Sequence, residues 1–188
     1  MLPYLIGVGA VVVVVLVVVF AMYNSLVSAR AHVRESWSNV DTELQRRHDL
    51  IPNLVNTVKG YMKHERELLE NIVSLREQAE RLRPGEATPD QARVETALQS
   101  ALGQLRVRIE NYPDLKASTN VESLQAELAN TEDRVQSSIR FYNGNVKNLE
   151  LKVESVPTNI IAGLFGFKKA QYFELHDEAA RQAPKVAF

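Results

Sequence analysis

Residues 1–29 read MLPYLIGVGAVVVVVLVVVFAMYNSLVSA, and this stretch decides the architecture. It holds no charged side chain, and Val11 to Phe20 is an almost unbroken valine and leucine run. An apolar run of about 20 residues covers the roughly 30 Å hydrocarbon core of a bilayer as an α-helix. β-Branched residues are indifferent helix formers in water. In lipid, every backbone N–H and C=O must be satisfied internally, and that forces the helix. A cleaved signal peptide is the competing reading, since Ala29-Arg30-Ala31 faintly resembles a cleavage site. The stretch lacks a positive leading region and outruns a signal-peptide core, so it reads as a retained anchor. Nothing basic precedes the span except the terminal amine, whereas Arg30 and Arg34 follow it. Positive-inside counting therefore expects a single-pass protein of the cell membrane, N-terminus outside and the remaining domain in the cytoplasm.

Working outward from the anchor, one helical stripe runs on in alternating steps of three and four. It passes through Val33, Trp37, Val40, Leu44, Arg47, Ile51, Leu54, Val58, Tyr61, Glu65, Leu68, Ile72, Leu75, Ala79 and Leu82. All but Arg47 and Glu65 are apolar or aromatic, which predicts one long bundle helix packed along its length. Pro52 lies inside it and must forfeit a backbone hydrogen bond, so a kink is expected there. Residues 83–90 (RPGEATPD) form a loop by their Pro and Gly content. Thr88-Pro89-Asp90-Gln91 then reads as a capping box with Pro at the first helical position. The helix it opens buries Val94, Leu98, Leu102, Leu105 and Ile109, and stops at Tyr112-Pro113. A second box, Thr119 to Glu122, opens the last long helix, whose stripe runs from Val121 to Val153 and which Val156-Pro157 closes. No segment alternates with strand period. The expected class is all-α, with an anchor at 1–29, a helical bundle at 30–157, and an apolar segment with a tail at 158–188.

That last piece contains NIIAGLFGFKKAQYF at residues 159–173, too short to span a bilayer. Ile160, Ile161, Leu164, Phe165 and Phe167 make it a candidate membrane or subunit contact. Two fates stand open: burial in protein, within the chain or between subunits, or a place in the membrane interface with Lys168 and Lys169 at the headgroups. Burial is the expected one. Residues 181–188 read as a loose tail.

Composition excludes several classes of function. The 22 basic and 23 acidic residues nearly cancel and are spread evenly after the anchor, so nothing tracks a nucleic-acid backbone. Cysteine is absent, which removes disulfides, thiolate metal sites and thiol catalysis together. His64-Glu65 opens like a zinc-protease helix, but Leu68 stands where the second histidine is required. Residues three before His32, His48, His64 and His176 are Ala29, Gln45, Tyr61 and Phe173, so the Glu-x-x-His pairs of di-iron bundles are missing. No phosphate loop or nucleophile elbow occurs. No catalytic, cofactor-binding or metal-binding residue is assigned, and no cofactor is expected.

The charges in core register are more informative. Arg47 and Glu65 stand in the first stripe and Glu132 in the last, and a lone buried charge is costly unless paired. Eighteen residues of helix separate Arg47 from Glu65 by about 27 Å, so each needs a partner from another helix. Glu132, Arg140 and Arg108 are the candidates. These charges are expected to fix helix register, with a polar site inside the bundle as the rival reading.

Several motifs together resemble the LemA family. They are Trp37-Ser38-Asn39-Val40-Asp41, Arg46 through Val55 (RRHDLIPNLV), Val58-Lys59-Gly60-Tyr61 with His64-Glu65, and Glu110 through Ala117 (ENYPDLKA). Arg140-Phe141-Tyr142-Asn143, Pro157-Thr158-Asn159 and Phe165-Gly166-Phe167 extend the likeness to nearly the whole chain. It departs at Leu149-Glu150, where the family shows Tyr-Asn, and at Val156, where it shows an aromatic. The resemblance implies a single N-terminal span and an antiparallel bundle of the four-helix type, with no established activity. It implies bacterial envelopes, and a relative linked to shaping magnetosome membranes. The expected role is a membrane-anchored scaffold, in contact with lipid, that self-associates as a homo-oligomer and organises membrane or partner proteins. The alternative is a monomeric adaptor offering a helical groove to a membrane-protein client, for example a membrane protease.

Overall fold

The anchor and the first half of the long stripe form one uninterrupted helix, α1 (Leu2–Val58). The computed structural model describes residues 1–83 and 85–175, with Leu2 and Pro3 described for the backbone alone. His176 and the tail at 181–188 lie outside the described residues. After α1, a 3₁₀ turn (Lys63–Glu65) leads into α2 (Arg66–Leu82), α3 (Pro89–Ile109), the short α4 (Pro113–Lys116), α5 (Thr119–Glu154) and α6 (Thr158–Leu164). Among the described residues there is no strand, and the fold is all-α. α1 contains one stretch long and apolar enough to cross a membrane.

The expected long helix from Val33 to Leu82 does not exist as one piece. α1 passes through Pro52 without interruption and ends at Val58 instead. Tyr61 and Met62 both donate their N–H groups to the Val58 carbonyl, which closes the turn. Beyond it the stripe slips by one residue. Tyr61 is exposed and Met62 buried, and Leu69 is buried where Leu68 was expected. Ile72 and Ala79 keep their places in the core. The local reason is Gly60, a poor helix former placed where the chain turns back.

Pro52 leaves its mark on one atom. Without an N–H at Pro52, the carbonyl of His48 loses its helical partner. The Arg76 guanidinium of α2 supplies the replacement, its Nε donating to the His48 carbonyl at 2.8 Å. The helix thus runs on through the proline, and a side chain from the next helix satisfies the carbonyl that the proline frees.

The chain divides into two compact units. Among the described residues, the first comprises Met1–Ser36 with Phe141–Tyr172, and the second comprises Trp37–Arg140 with residues 173–175. In the second, α2 and α3 pack on each other around a core that includes Ile51, Leu54, Met62, Ile72, Leu98 and Leu105. Thr88 caps α3, its side chain accepting from the Gln91 N–H at 3.2 Å, and Pro89 takes the first helical position. The reciprocal half of the box is not made, because the Gln91 side chain is buried in the unit. The 83–88 loop is tied to α1 twice. Arg83 grips both Asp41 carboxylate oxygens at 2.8 and 3.0 Å, and Trp37 Nε1 donates to the Gly85 carbonyl at 2.9 Å. Gly85 sits at φ 115°, a conformation that L side chains avoid.

In the first unit, the core is Leu26 with Ile161, Ala162 and Phe167, flanked by Val19, Met22, Tyr23, Val27 and Val153. Fully burying an aliphatic or aromatic side chain contributes about 1.5–3 kcal/mol, enough to hold a helix as short as α6. Gly166, at φ 68°, supplies the reversal that brings Phe167 back onto α1. Lys152 of α5 fixes the same region from outside, its ammonium donating to Ser25 Oγ at 2.6 Å.

Candidate functional site

Two places in the described chain depart from an ordinary water-soluble bundle. The first lies in the second unit, where α1, α3 and α5 each contribute a charge. Arg47 is 1% exposed. Its Nη1 donates to Glu132 Oε2 at 2.8 Å, and its Nη2 is bonded to Glu95 Oε2. Glu95 and His48 are fully buried, and His48 Nε2 lies 2.9 Å from Glu95 Oε1.

Burial alone would push the Glu95 carboxyl up. The adjacent His48 imidazole and Arg47 guanidinium outweigh it and hold the carboxyl below its usual 4.5. Burial works against the Arg47 cation as well, yet Glu95 and Glu132 together leave its pKa raised above the ordinary guanidinium value. An uncompensated charge in such a place would cost several kcal/mol. Here two carboxylates surround one guanidinium, with an imidazole closing the far side. The groups are spent on one another, and among the described residues no His, Asp and Glu set has metal-binding geometry.

Of the core charges read from sequence, Arg47 and Glu132 meet in this cluster. Glu65 does not belong to it. It is half-buried at the turn after α1 and accepts from the Tyr112 hydroxyl, which raises the tyrosine's pKa. Arg140 is not a core charge at all, because it lies on the exposed face of α5. Arg108 is exposed too. Glu95 and His48 went unassigned. The stripe chosen for α3 took the apolar Val94, but Leu98, Leu105 and Ile109 continue backwards through Glu95 and Gln91, all of them buried. Extending that register by helical spacing alone would have found the missing carboxylate.

The second place lies in the first unit. There, side chains 4–18 of α1 are exposed and apolar apart from glycine. The C-terminal apolar residues divide into two faces. Ile161 and Phe167 are buried on Leu26, whereas Ile160, Leu164 and Phe165 are 60%, 75% and 56% exposed. The Tyr23 ring meets Phe165 and Phe167 edge-on, at 4.8 and 5.7 Å between centroids. Arg30 places its guanidinium over Phe167 at 4.7 Å. At the positions that depart from the family pattern, Leu149 is buried, and Glu150 accepts from the Tyr172 hydroxyl at 2.7 Å.

A family model described as the LemA family matches residues 36–188. The chain belongs to the LemA family. Among its relatives, Protein LemA of Metamycoplasma hominis is 24% identical over 163 residues, covering 87% of this chain and 70% of the relative. Magnetosome protein MamQ 2 of Paramagnetospirillum magneticum is 23% identical over 177 residues, 81% of this chain and 64% of that protein. Magnetosome protein MamQ of Magnetospirillum gryphiswaldense is 21% identical over 189 residues, covering 87% and 68%. This LemA-family chain therefore spans about two thirds of the length of the curated relatives it matches. The matched span contains the whole Arg47 cluster and the C-terminal apolar segment, and it begins just after the anchor.

Proposed function

We propose that the protein is a membrane-anchored helical scaffold of the bacterial envelope. It self-associates, organises membrane or partner proteins, and performs no catalysis. Residues 4–23 span the bilayer, and Arg30 and Arg34 keep the following chain on the cytoplasmic side. The observation that carries self-association is a stripe on the outer face of α5 in the first unit. Phe141 and Leu151 are 63% and 52% exposed there, with Gly144 and Asn148 exposed between them. Helical spacing puts all four within about 80° of one another, a self-complementary face of the kind a two-fold contact uses. Support for a non-catalytic role comes from the Arg47 cluster, whose titratable groups are engaged with each other. The magnetosome names of the MamQ relatives fit a task carried out at membranes.

The test is the mass of the full chain, extracted in mild detergent, by light scattering. The expected result is a discrete multimer that falls to a single chain in Phe141→Glu/Leu151→Glu with helix content unchanged. A wild-type protein that runs as one chain sinks the scaffold reading.

A second reading draws support from a groove of about 630 Å³ in the second unit. Val55, Met62, Leu69 and Val73 line it, with Lys59, Lys63, Arg66, Glu70 and Glu77 also on the lining. It suits an adaptor that receives an amphipathic helix, and a monomeric protein with a bound client would favour it.

A further inference from the structure

We infer that α6 and the turn after it form a second, peripheral membrane contact, with Ile160, Leu164 and Phe165 set into the headgroup and acyl boundary of the bilayer that the anchor crosses. The inference rests on reading residues 4–23 as a span. From Tyr4 to Tyr23 an α-helix rises about 28 Å, close to the roughly 30 Å hydrocarbon thickness, so Tyr23 marks the boundary. Tyrosine is also a side chain that favours that level.

α6 is fastened at this height. Its inner face packs on Leu26 through Ile161 and Ala162, and Phe165 and Phe167 both meet the Tyr23 ring. The depth of its outer face is therefore set by the anchor itself. That outer face is apolar and uncovered by the chain, and no charge occurs between Glu154 and Lys168. A contiguous apolar face held beside a transmembrane helix has the bilayer interface as its nearest apolar phase.

The electrostatics say how it binds. Lys169 is engaged by Glu150, at 3.3 Å, and by Glu154, while Arg30 lies over Phe167. Lys168 is left exposed as the cation next to the segment. One lysine gives little attraction to anionic lipid, so insertion is driven by apolar area and proceeds in a zwitterionic bilayer.

The chain has no cysteine, so single cysteines can be introduced and spin-labelled without background. The experiment uses the full chain in phosphatidylcholine nanodiscs with labels at Leu164→Cys, at Val13→Cys in the anchor and at Val107→Cys, an exposed position of α3 in the second unit. Leu164→Cys is expected to be relaxed several-fold more by oxygen than by a water-soluble nickel complex, as Val13→Cys is, with Val107→Cys showing the reverse. A water-like Leu164→Cys beside a lipid-like Val13→Cys overturns the second contact and leaves the anchor standing. A water-like Val13→Cys overturns the span and the inference with it. Protection of Leu164→Cys from both agents, with spin–spin broadening that vanishes on mixing with unlabelled chain, would show a second copy covering the face and overturn the lipid assignment. A lipid signature that appears only with anionic lipid overturns the apolar mode of insertion.

Discussion

Around Arg47 a charge is buried and paired with two carboxylates, whereas around α6 apolar side chains are exposed and uncovered. The two regions invert the usual partition in opposite directions, and they are resolved differently. The cluster answers its cost within the protein: Glu95 and Glu132 converge on a single guanidinium, and the His48 ring lies against Glu95. The α6 face has no such internal answer. Half of its apolar residues lie on Leu26, and the other half stay open. Hidden charge thus reads as a device for specifying structure, and open apolar surface beside an anchor reads as a device for contact.

The contrast can be broken most forcefully at Arg47. Arg47→Met leaves Glu95 buried beside a single imidazole, and removing one member of a buried pair costs about 3–5 kcal/mol. Thermal unfolding of the full chain in detergent, followed by circular dichroism, should show the loss. If Arg47→Met/Glu95→Leu recovers much of it, the cluster serves register more than net stability.

Next in size is the buried side of the other region. Phe167→Ala should destabilise the first unit by about 3 kcal/mol, near the low end for a buried aromatic in a small cluster that can partly collapse. Hydrogen exchange of the 158–167 backbone amides reads this locally, and unaltered protection there would mean that α6 is held by something other than Phe167.

Glu95 sharpens the comparison through pH. Its folded pKa lies below the ordinary 4.5, so its contribution is complete above that value and is lost as pH falls through the lowered one. Glu95→Gln should cost about 1–3 kcal/mol at neutral pH. The variant should also lose stability less steeply than wild type in acid. Parallel acid-unfolding curves for the two proteins would deny Glu95 its role.

The smallest effect is expected on the open face. Leu164→Ser should alter stability in detergent by less than about 0.5 kcal/mol, because a side chain 75% exposed in the chain has little protein contact to lose on truncation. A large destabilisation would mean that the face is covered by protein.

Much of this was legible in the residues. The anchor follows from length and the absence of charge, the boundaries of α3 follow from Thr88-Pro89 and Tyr112-Pro113, and those of α5 from Thr119 and Val156-Pro157. Arg47 announced itself by standing in an apolar stripe, with Glu132 among its candidate partners. The end of α1 at Val58 was hidden, because the stripe beyond Gly60 keeps a plausible phase through Ile72 and Ala79 while the chain has turned. Glu95 was hidden by its apolar neighbour Val94, since a pattern of hydrophobicity favours the oilier of two adjacent positions. The split of the C-terminal segment was illegible for another reason. Which of two consecutive isoleucines faces inward depends on the surface that receives it.

His48 has one consequence beyond its own pocket. Its carbonyl is taken by Arg76 of α2, and its ring faces Glu95 of α3, so a single residue of α1 is held from two sides. The carbonyl is free only because Pro52 stands one turn on, which makes it a unique notch along the helix. Sliding α2 by one turn, about 5.4 Å, would put Arg76 opposite a carbonyl already occupied by its own helix. The proline therefore works as a detent: it removes one hydrogen bond from α1 and leaves one position at which its neighbour clicks into place.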